Sequence, residues 1–376
     1  MSVASRRIVM VYIEPTPYIT ALIDTLRRLC GAPIESYFIS SDISQSWNLR
    51  VDGEWDRVLP KGFFAKMRIL WAALIRERRR TVLHLAGWGH PVLLGAMFMA
   101  RSLQIPTAVE SDTAEGQWDH TWRRWFKSPL YPLLFRVPNR FLPGGMRQAQ
   151  YLAHFGVKQE RMTIAQMTVD VCTIRRFCAA DRQTVRSNAR MHWGMLASER
   201  IVLFMGRLEG YKGVEVLLSA FARVAKEENN LRLVIGGDGS LRPRVEAVAA
   251  DAEHRVTYLG RLSGDDVWRA YLAADFLVLP SLFEPWGLVV NEAMACGLPV
   301  IVSDRVGCAD DLVPHGETGL VIGAGHEIEL ASAIQQLARG EPDRCRMGLA
   351  AENLISKWTL CNEARNIMSA WDEIAR

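Results

Sequence analysis

A chain of 376 residues with 49% hydrophobic and 23% charged residues is too long for one ordinary core and too apolar to be disordered, so two globular domains are expected. The formal net charge of +4 is too small to argue for nucleic acid by itself. The seven cysteines are scattered, odd in number and without paired metal-ligand spacing, which argues against a disulfide framework or a zinc site and fits free, mostly buried thiols in a reducing cytoplasm.

In chain order, residues 8–13 read as a buried strand, and a Pro-rich loop with Pro17 and Tyr18 leads into an apolar-periodic helix. The N-terminus has too few apolar residues for a signal peptide. Residues 37–39 form a second strand. Phe64, Met67, Leu70, Trp71, Leu74 and Ile75 then fall on one helical face, among Lys61, Lys66, Arg68, Arg76, Arg78, Arg79 and Arg80. The strand 81–85 leads to His90 and a helix over 93–103. The longest apolar stretch, 91–100, is too short to span a bilayer. The strand 105–109 ends in Glu110-Ser111-Asp112.

No Asp or Glu occurs from His120 to Gln159. Arg123, Arg124, Lys127, Arg136, Arg140, Arg147 and Lys158 are interleaved there with Trp122, Trp125, Phe126, Tyr131 and Phe135. Two basic, apolar segments in one half of the chain suit an anionic membrane surface or a diphosphate-linked lipid. The competing reading is packed helices whose cationic heads reach water. Nucleic acid is not expected, because no reading motif accompanies the charge. The expected location is the cytoplasm, with peripheral attachment to the inner face of the cytoplasmic membrane.

The second half alternates strands and helices. Strands at 200–205, 231–235, 255–259, 276–279, 299–303 and 317–322 enclose helices, one of them at 265–273. That rhythm predicts a parallel sheet covered on both faces. The domain boundary is expected near 180, giving domains 1–180 and 181–355 and a final helix within 356–376.

The most informative stretch runs from Ser281 to Pro299. A buried strand ends, a tight turn carries Glu284, and helix period takes over from Gly287. A helix starting near Trp286 offers free N–H groups and a positive dipole end, which suit a phosphate. A second carboxylate, Glu292, lies over a turn inside that helix. Upstream, Arg207 and Lys212 lie in one loop and are candidate diphosphate ligands, as a guanidinium fork and an ammonium point charge.

The stretch Phe283-Glu-Pro-Trp-Gly-Leu-Val-Val-Asn-Glu292-Ala-Met-Ala-Cys-Gly-Leu-Pro-Val300, together with Arg207-x4-Lys212, resembles the signatures of the retaining GT-B glycosyltransferases of family 4. The resemblance is strong over 201–322. It implies an α/β chain of GT-B fold, two Rossmann-like doubly wound parallel-sheet domains facing a cleft. The last helix would return to the first domain.

By the resemblance, Glu292 would bind ribose hydroxyls and Glu284 a hydroxyl of the donor sugar. Backbone groups at Trp286, Gly287, Leu288 and Val289 would lie near sugar and phosphates. Those at Gly260, Arg261 and Leu262 would contact the base, with Gly237 lining that end. Catalytic roles would fall to Asp112, Glu284, Arg207 and Lys212. The sequence lacks Asp-x-Asp, so no metal and no cofactor is expected. Family members often carry His-Asp where this chain has Ser111-Asp112. Asp112 therefore ranks first among acceptor-side groups, ahead of Glu110, then His90, with Pro17 and Tyr18 shaping that side.

The expected reaction is retaining transfer of a hexose from a UDP- or GDP-sugar to a glycan acceptor, lipid-linked, in bacterial cell-surface polysaccharide assembly. Two alternatives stay open: a GT-B nucleotide-sugar epimerase, and a non-catalytic nucleotide-sugar-binding partner protein.

Overall fold

Short aliphatic runs with amphipathic helices between them can bury their apolar surface only by pairing in parallel and covering both sheet faces. The computed structural model, which describes residues 5–41, 55–114, 129–251 and 255–375, has this α/β organisation twice. One compact unit is Met1–Thr168 with Leu360–Arg376; the other is Val169–Thr359.

The first unit holds strands β1 (Arg7–Tyr12), β2 (Ile34–Phe38), β3 (Asp56–Val58), β4 (Thr81–Leu85), β5 (Thr107–Ser111) and β6 (Arg140–Pro143) in the order β3-β2-β1-β4-β5-β6. All its pairings are parallel. Strand alternation sorts the core. Val9, Val11, Leu83, Leu85 and Val109 pack with the helices Phe63–Ile75 and Pro91–Ser102. Ile8, Met10, Tyr12, Val82 and Ala108 pack with the helices Pro17–Cys30 and Leu360–Ile374. The final helix thus belongs to the first unit.

Two strands escape the sequence reading. β3 is three residues long and largely polar. β6 lies inside the interval read as a basic, aromatic surface, yet Phe141 and Leu142 are buried and the strand pairs with β5. Phe135 and Tyr151 also belong to the core, and Arg140 is ion-paired with Glu373. This part of the interval is therefore not a surface patch: strand pairing and core packing take up its aromatics. Arg123, Arg124, Lys127, Trp122, Trp125 and Phe126 lie outside the described residues.

The second unit holds β7 (Arg200–Met205), β8 (Leu231–Gly236), β9 (Val256–Gly260), β10 (Phe276–Leu279), β11 (Val300–Ser303) and β12 (Gly319–Ile322), again all parallel, in the order β12-β11-β10-β7-β8-β9. The units divide after Thr168 rather than near 180. The reason lies in the helices Val171–Ala180 and Arg182–His192. Asp170 caps the first through Thr173 N at 3.0 Å. From the second, Arg186 and Arg190 pair with Asp275, just before β10, at 2.8 and 2.9 Å.

Candidate active site

In an open α/β sheet, ligands meet the carboxyl ends of the strands where the strand order reverses. In the second unit that point lies between β7 and β10. The loop after β7 carries Arg207 and Lys212, and the loop after β10 carries Glu284. Backbone hydrogen bonds tie the two: Leu282 N and Phe283 N donate to Tyr211 O at 2.8 and 3.3 Å. The Arg207 guanidinium lies 5.5 Å from the Tyr211 ring centroid, and the Lys212 ammonium 5.7 Å from it. Two cations therefore share one aromatic side chain at the switch point. Arg207 is exposed and in no ion pair among the described residues, whereas Lys212 is paired with Glu284.

Glu284 is buried and held by its backbone, with N donating to Arg305 O at 3.1 Å and O accepting from Gly307 N at 2.9 Å. The helix Leu288–Ala295 then starts at Gly287, with φ 102° and no side-chain cap. A Cβ there would lie 3.1 Å from Val306 Cγ1 and 3.2 Å from Leu279 Cδ2, so only glycine makes the turn without strain. The first-turn N–H groups, including those of Leu288 and Val289, receive no side-chain cap and suit an anion. Trp286 is buried instead. Its indole N–H donates to Asn291 Oδ1 at 3.0 Å and its ring packs on Trp358, so its side chain serves the core.

On the other side of β7, Gly237 N donates to Gly260 O at 2.8 Å, and Leu208 N to Asp238 O at 2.9 Å. Gly237 has φ 143°, and a Cβ would fall 1.8 Å from Gly206 O. Tyr258 OH donates to Gly237 O at 2.9 Å. Arg261 is exposed and Leu262 half-buried beside these glycines. The sheet thus gathers four loops, at 206–213, 236–240, 260–262 and 281–287, from widely separated parts of the chain.

Glu292 accepts from Tyr271 OH at 2.7 Å. Burial pushes its carboxyl up to about 7, while the tyrosine hydrogen bond pulls the other way. Sequence reasoning missed Tyr271, since nothing along the chain links it to Glu292.

The first unit has its own polar group at the carboxyl ends of β1, β4 and β5. His84 is fully buried, with Nε2 2.8 Å from Glu110 Oε1. Tyr12 OH donates to the same oxygen at 2.8 Å, and Trp371 Nε1 donates to His84 Nδ1 at 3.1 Å. Asp112 directly follows the last residue of β5. Withdrawal from bulk water raises its carboxyl above the ordinary range, opposed by its own backbone N–H and aided by Glu110. Tyr18 is pushed up to about 12, first by burial, with Asp112 and Glu110 contributing and a Thr16 hydrogen bond opposing. Pro17 opens the helix that carries it. His90 is a helix cap, its Nδ1 accepting from Val92 N at 3.1 Å. Ser111 is buried with its Oγ unpaired among the described residues. The sequence pointed to Glu110 but missed its buried partners; a histidine inside an apolar strand was the available signal. Among the described residues no three His, Cys, Asp or Glu side chains converge as metal ligands.

Two units of this topology, each an all-parallel α/β sheet, define a GT-B fold. Solved structures agree in fold: a glycosyltransferase from Rickettsia africae has TM-score 0.78 and 13% identity, covering 98% of both chains. Anabaena Alr3699/HepE in complex with UDP has TM-score 0.77 and 17% identity, covering 98% of this chain and 100% of its own. At the level of sequence, residues 186–354, within the second unit, match the model of the family Glycosyl transferases group 1. The D-inositol 3-phosphate glycosyltransferase of Pseudarthrobacter chlorophenolicus is 34% identical over 209 residues, 54% of this chain and 48% of that protein. An uncharacterized glycosyltransferase of Methanocaldococcus jannaschii is 38% identical over 135 residues, 35% of this chain and 34% of its own. The chain spans half or less of the length of these curated relatives.

Proposed function

We propose that the protein is a retaining, metal-independent hexosyltransferase of family 4 that takes its sugar from a nucleotide-diphosphate donor. The observation that carries this reading is the convergence of Arg207, Lys212, Glu284 and the uncapped helix start at Gly287 on one switch point. As the glycosidic bond breaks, negative charge grows on the leaving diphosphate. Fixed cations and first-turn N–H groups stabilise that charge without having to reorganise. Glu284 takes a hydroxyl of the donor sugar, and Glu292 the ribose hydroxyls. Gly237 and Gly260–Leu262 accommodate the base. Because the Anabaena neighbour was solved with UDP and with UDP-glucose, UDP-glucose is the first donor to try.

The acceptor in this reading is a lipid-linked glycan of bacterial cell-surface polysaccharide assembly, met at the inner face of the cytoplasmic membrane. Support comes from the helix Phe63–Ile75. Phe64 (85% exposed), Trp71 (41%) and Ile75 (50%), with Arg68, form a stripe of helical period left uncovered among the described residues. Lys61, Arg78, Arg79 and Arg80 are exposed at its ends, which suits an anionic membrane surface. No helix among the described residues is long and apolar enough to cross a membrane.

The test is thermal stabilisation by UDP-, GDP- and ADP-sugars, followed by transfer of labelled sugar into a bacterial lipid extract. A donor-dependent shift lost in Glu292→Ala and Lys212→Ala, with label entering lipid, supports the reading. Conversion of the donor without acceptor would favour an epimerase, and binding without any product a non-catalytic partner. No shift with any nucleotide sugar would refute all three.

A further inference from the structure

The buried group around Glu110 has an order that its distances impose. An indole N–H only donates. His84 Nδ1, 3.1 Å from Trp371 Nε1, must therefore carry its lone pair, and the ring proton sits on Nε2. That proton points at Glu110 Oε1, 2.8 Å away. Tyr12 OH donates to the same oxygen at 2.8 Å. The Trp371 ring stands edge-on to His84, at 88° and 5.5 Å between centroids, and fixes its plane. His84, Tyr12 and Trp371 are all buried.

Glu110 thus has one oxygen held by two buried donors. Its Oε2 has no hydrogen-bond partner among the described residues, and 24% of the side chain is accessible. Two buried donors on one carboxylate oxygen, with Trp371 behind one of them, are a poor way to stabilise a core, since apolar residues there would avoid the desolvation. They are an effective way to fix the direction of the other oxygen. Asp112, by contrast, is in no side-chain hydrogen bond or ion pair among the described residues; withdrawal from water raises its carboxyl, its own backbone N–H lowers it and Glu110 raises it. Tyr18 faces both carboxyls from the first helix. Glu363, on the final helix, is held well above the carboxylate range by burial, then by Glu110, against a Thr168 backbone hydrogen bond.

We propose that Glu110 Oε2 accepts a hydrogen bond from a hydroxyl of the sugar or polyol acceptor and orients it for attack, with His84 and Trp371 as positioning residues. This rests on the glycosyl-transfer reading above. No proton moves to Glu110; the carboxylate acts through direction alone.

The experiment uses the full chain, UDP-glucose carrying a labelled sugar, and a bacterial total lipid extract, with Glu110→Gln, Glu110→Asp and Trp371→Phe beside the wild type. Glu110→Gln is expected to cut label transfer about 10- to 100-fold while the UDP-glucose melting shift stays at the wild-type value. Glu110→Asp restores part of the loss. Trp371→Phe keeps an aromatic ring, smaller than the indole, and removes the N–H. It should move the ¹⁵N resonances of His84 away from a pure Nε2–H tautomer and slow transfer about 3- to 10-fold, again with the donor shift intact. Transfer by Glu110→Gln within about threefold of wild type overturns the proposal, as does joint loss of transfer and donor shift, which marks a structural role. A wild type that shows neither donor shift nor labelled lipid removes the glycosyl-transfer reading, and this proposal with it.

Discussion

Lys212 and Glu284 form an ion pair between the loops that follow β7 and β10, the two strands at which the second unit's sheet reverses its order. The residues are 72 positions apart in the chain, and their side chains are only 12% and 11% accessible. Each is the other's compensation in a poorly solvated place, and under the proposed function both meet the donor. A diphosphate entering the site adds a second claim on Lys212.

Removing one partner leaves the other charge buried without compensation. Lys212→Met should destabilise the protein by about 3 kcal/mol, and the double variant Lys212→Met, Glu284→Gln by less than the sum of the singles. Urea unfolding of the four species measures this. Additivity within about 0.3 kcal/mol would mean that the pair is not coupled.

Under the proposed function, Glu292 should tie stability and donor binding to pH in opposite directions. Its folded carboxyl sits at about 7, above the ordinary 4.5, so the native state keeps a proton that the unfolded chain has shed. Stability from this group is full below about 4.5 and falls as pH rises to 7, by at most about 1.4 kcal/mol per unit. The ionised form is the better acceptor for ribose hydroxyls, so donor affinity should rise over pH 6 to 8. Glu292→Gln should flatten both trends, read by melting curves and donor titrations across that range. An unchanged pH dependence of stability would assign the effect elsewhere.

Gly237→Ala should cost about 2–3 kcal/mol and abolish the donor-induced melting shift, since its Cβ would fall 1.8 Å from Gly206 O at φ 143°. Gly210→Ala, where nothing lies within 4 Å, should stay within about 0.5 kcal/mol of wild type. Equal melting temperatures for both variants would contradict this account of the loop.

The exposed stripe on Phe63–Ile75 predicts binding to anionic vesicles that weakens with salt. Phe64→Glu with Trp71→Glu should remove that binding in flotation assays and leave the donor-induced melting shift unchanged. Equal binding to neutral vesicles would remove the electrostatic part of the argument.

The second unit was the more legible. The strands read at 200–205 and 231–235 and the helix Asp265–Ala273 announce themselves as mostly apolar runs and a helical stripe. Glu284, Gly287 and Glu292 lie on one continuous segment whose turn chemistry is local. In the first unit β6 was hidden, because Arg140 opens it and its burial depends on pairing with β5. His90, ranked third among the acceptor-side groups, caps the helix Pro91–Ser102, a local contact that the sequence reading did not foresee.

The sequence by itself determined the doubly wound class, the strands of the second unit and the identity of its loop residues, because hydrophobic period and turn chemistry act over a few neighbouring positions. Only the tertiary structure decided which of those residues meet. Lys212 reaches Glu284, Tyr271 reaches Glu292, and Trp371 reaches His84 across 287 positions. Such contacts follow from strand order and helix docking, which pack the whole chain and leave no trace in any short stretch of it.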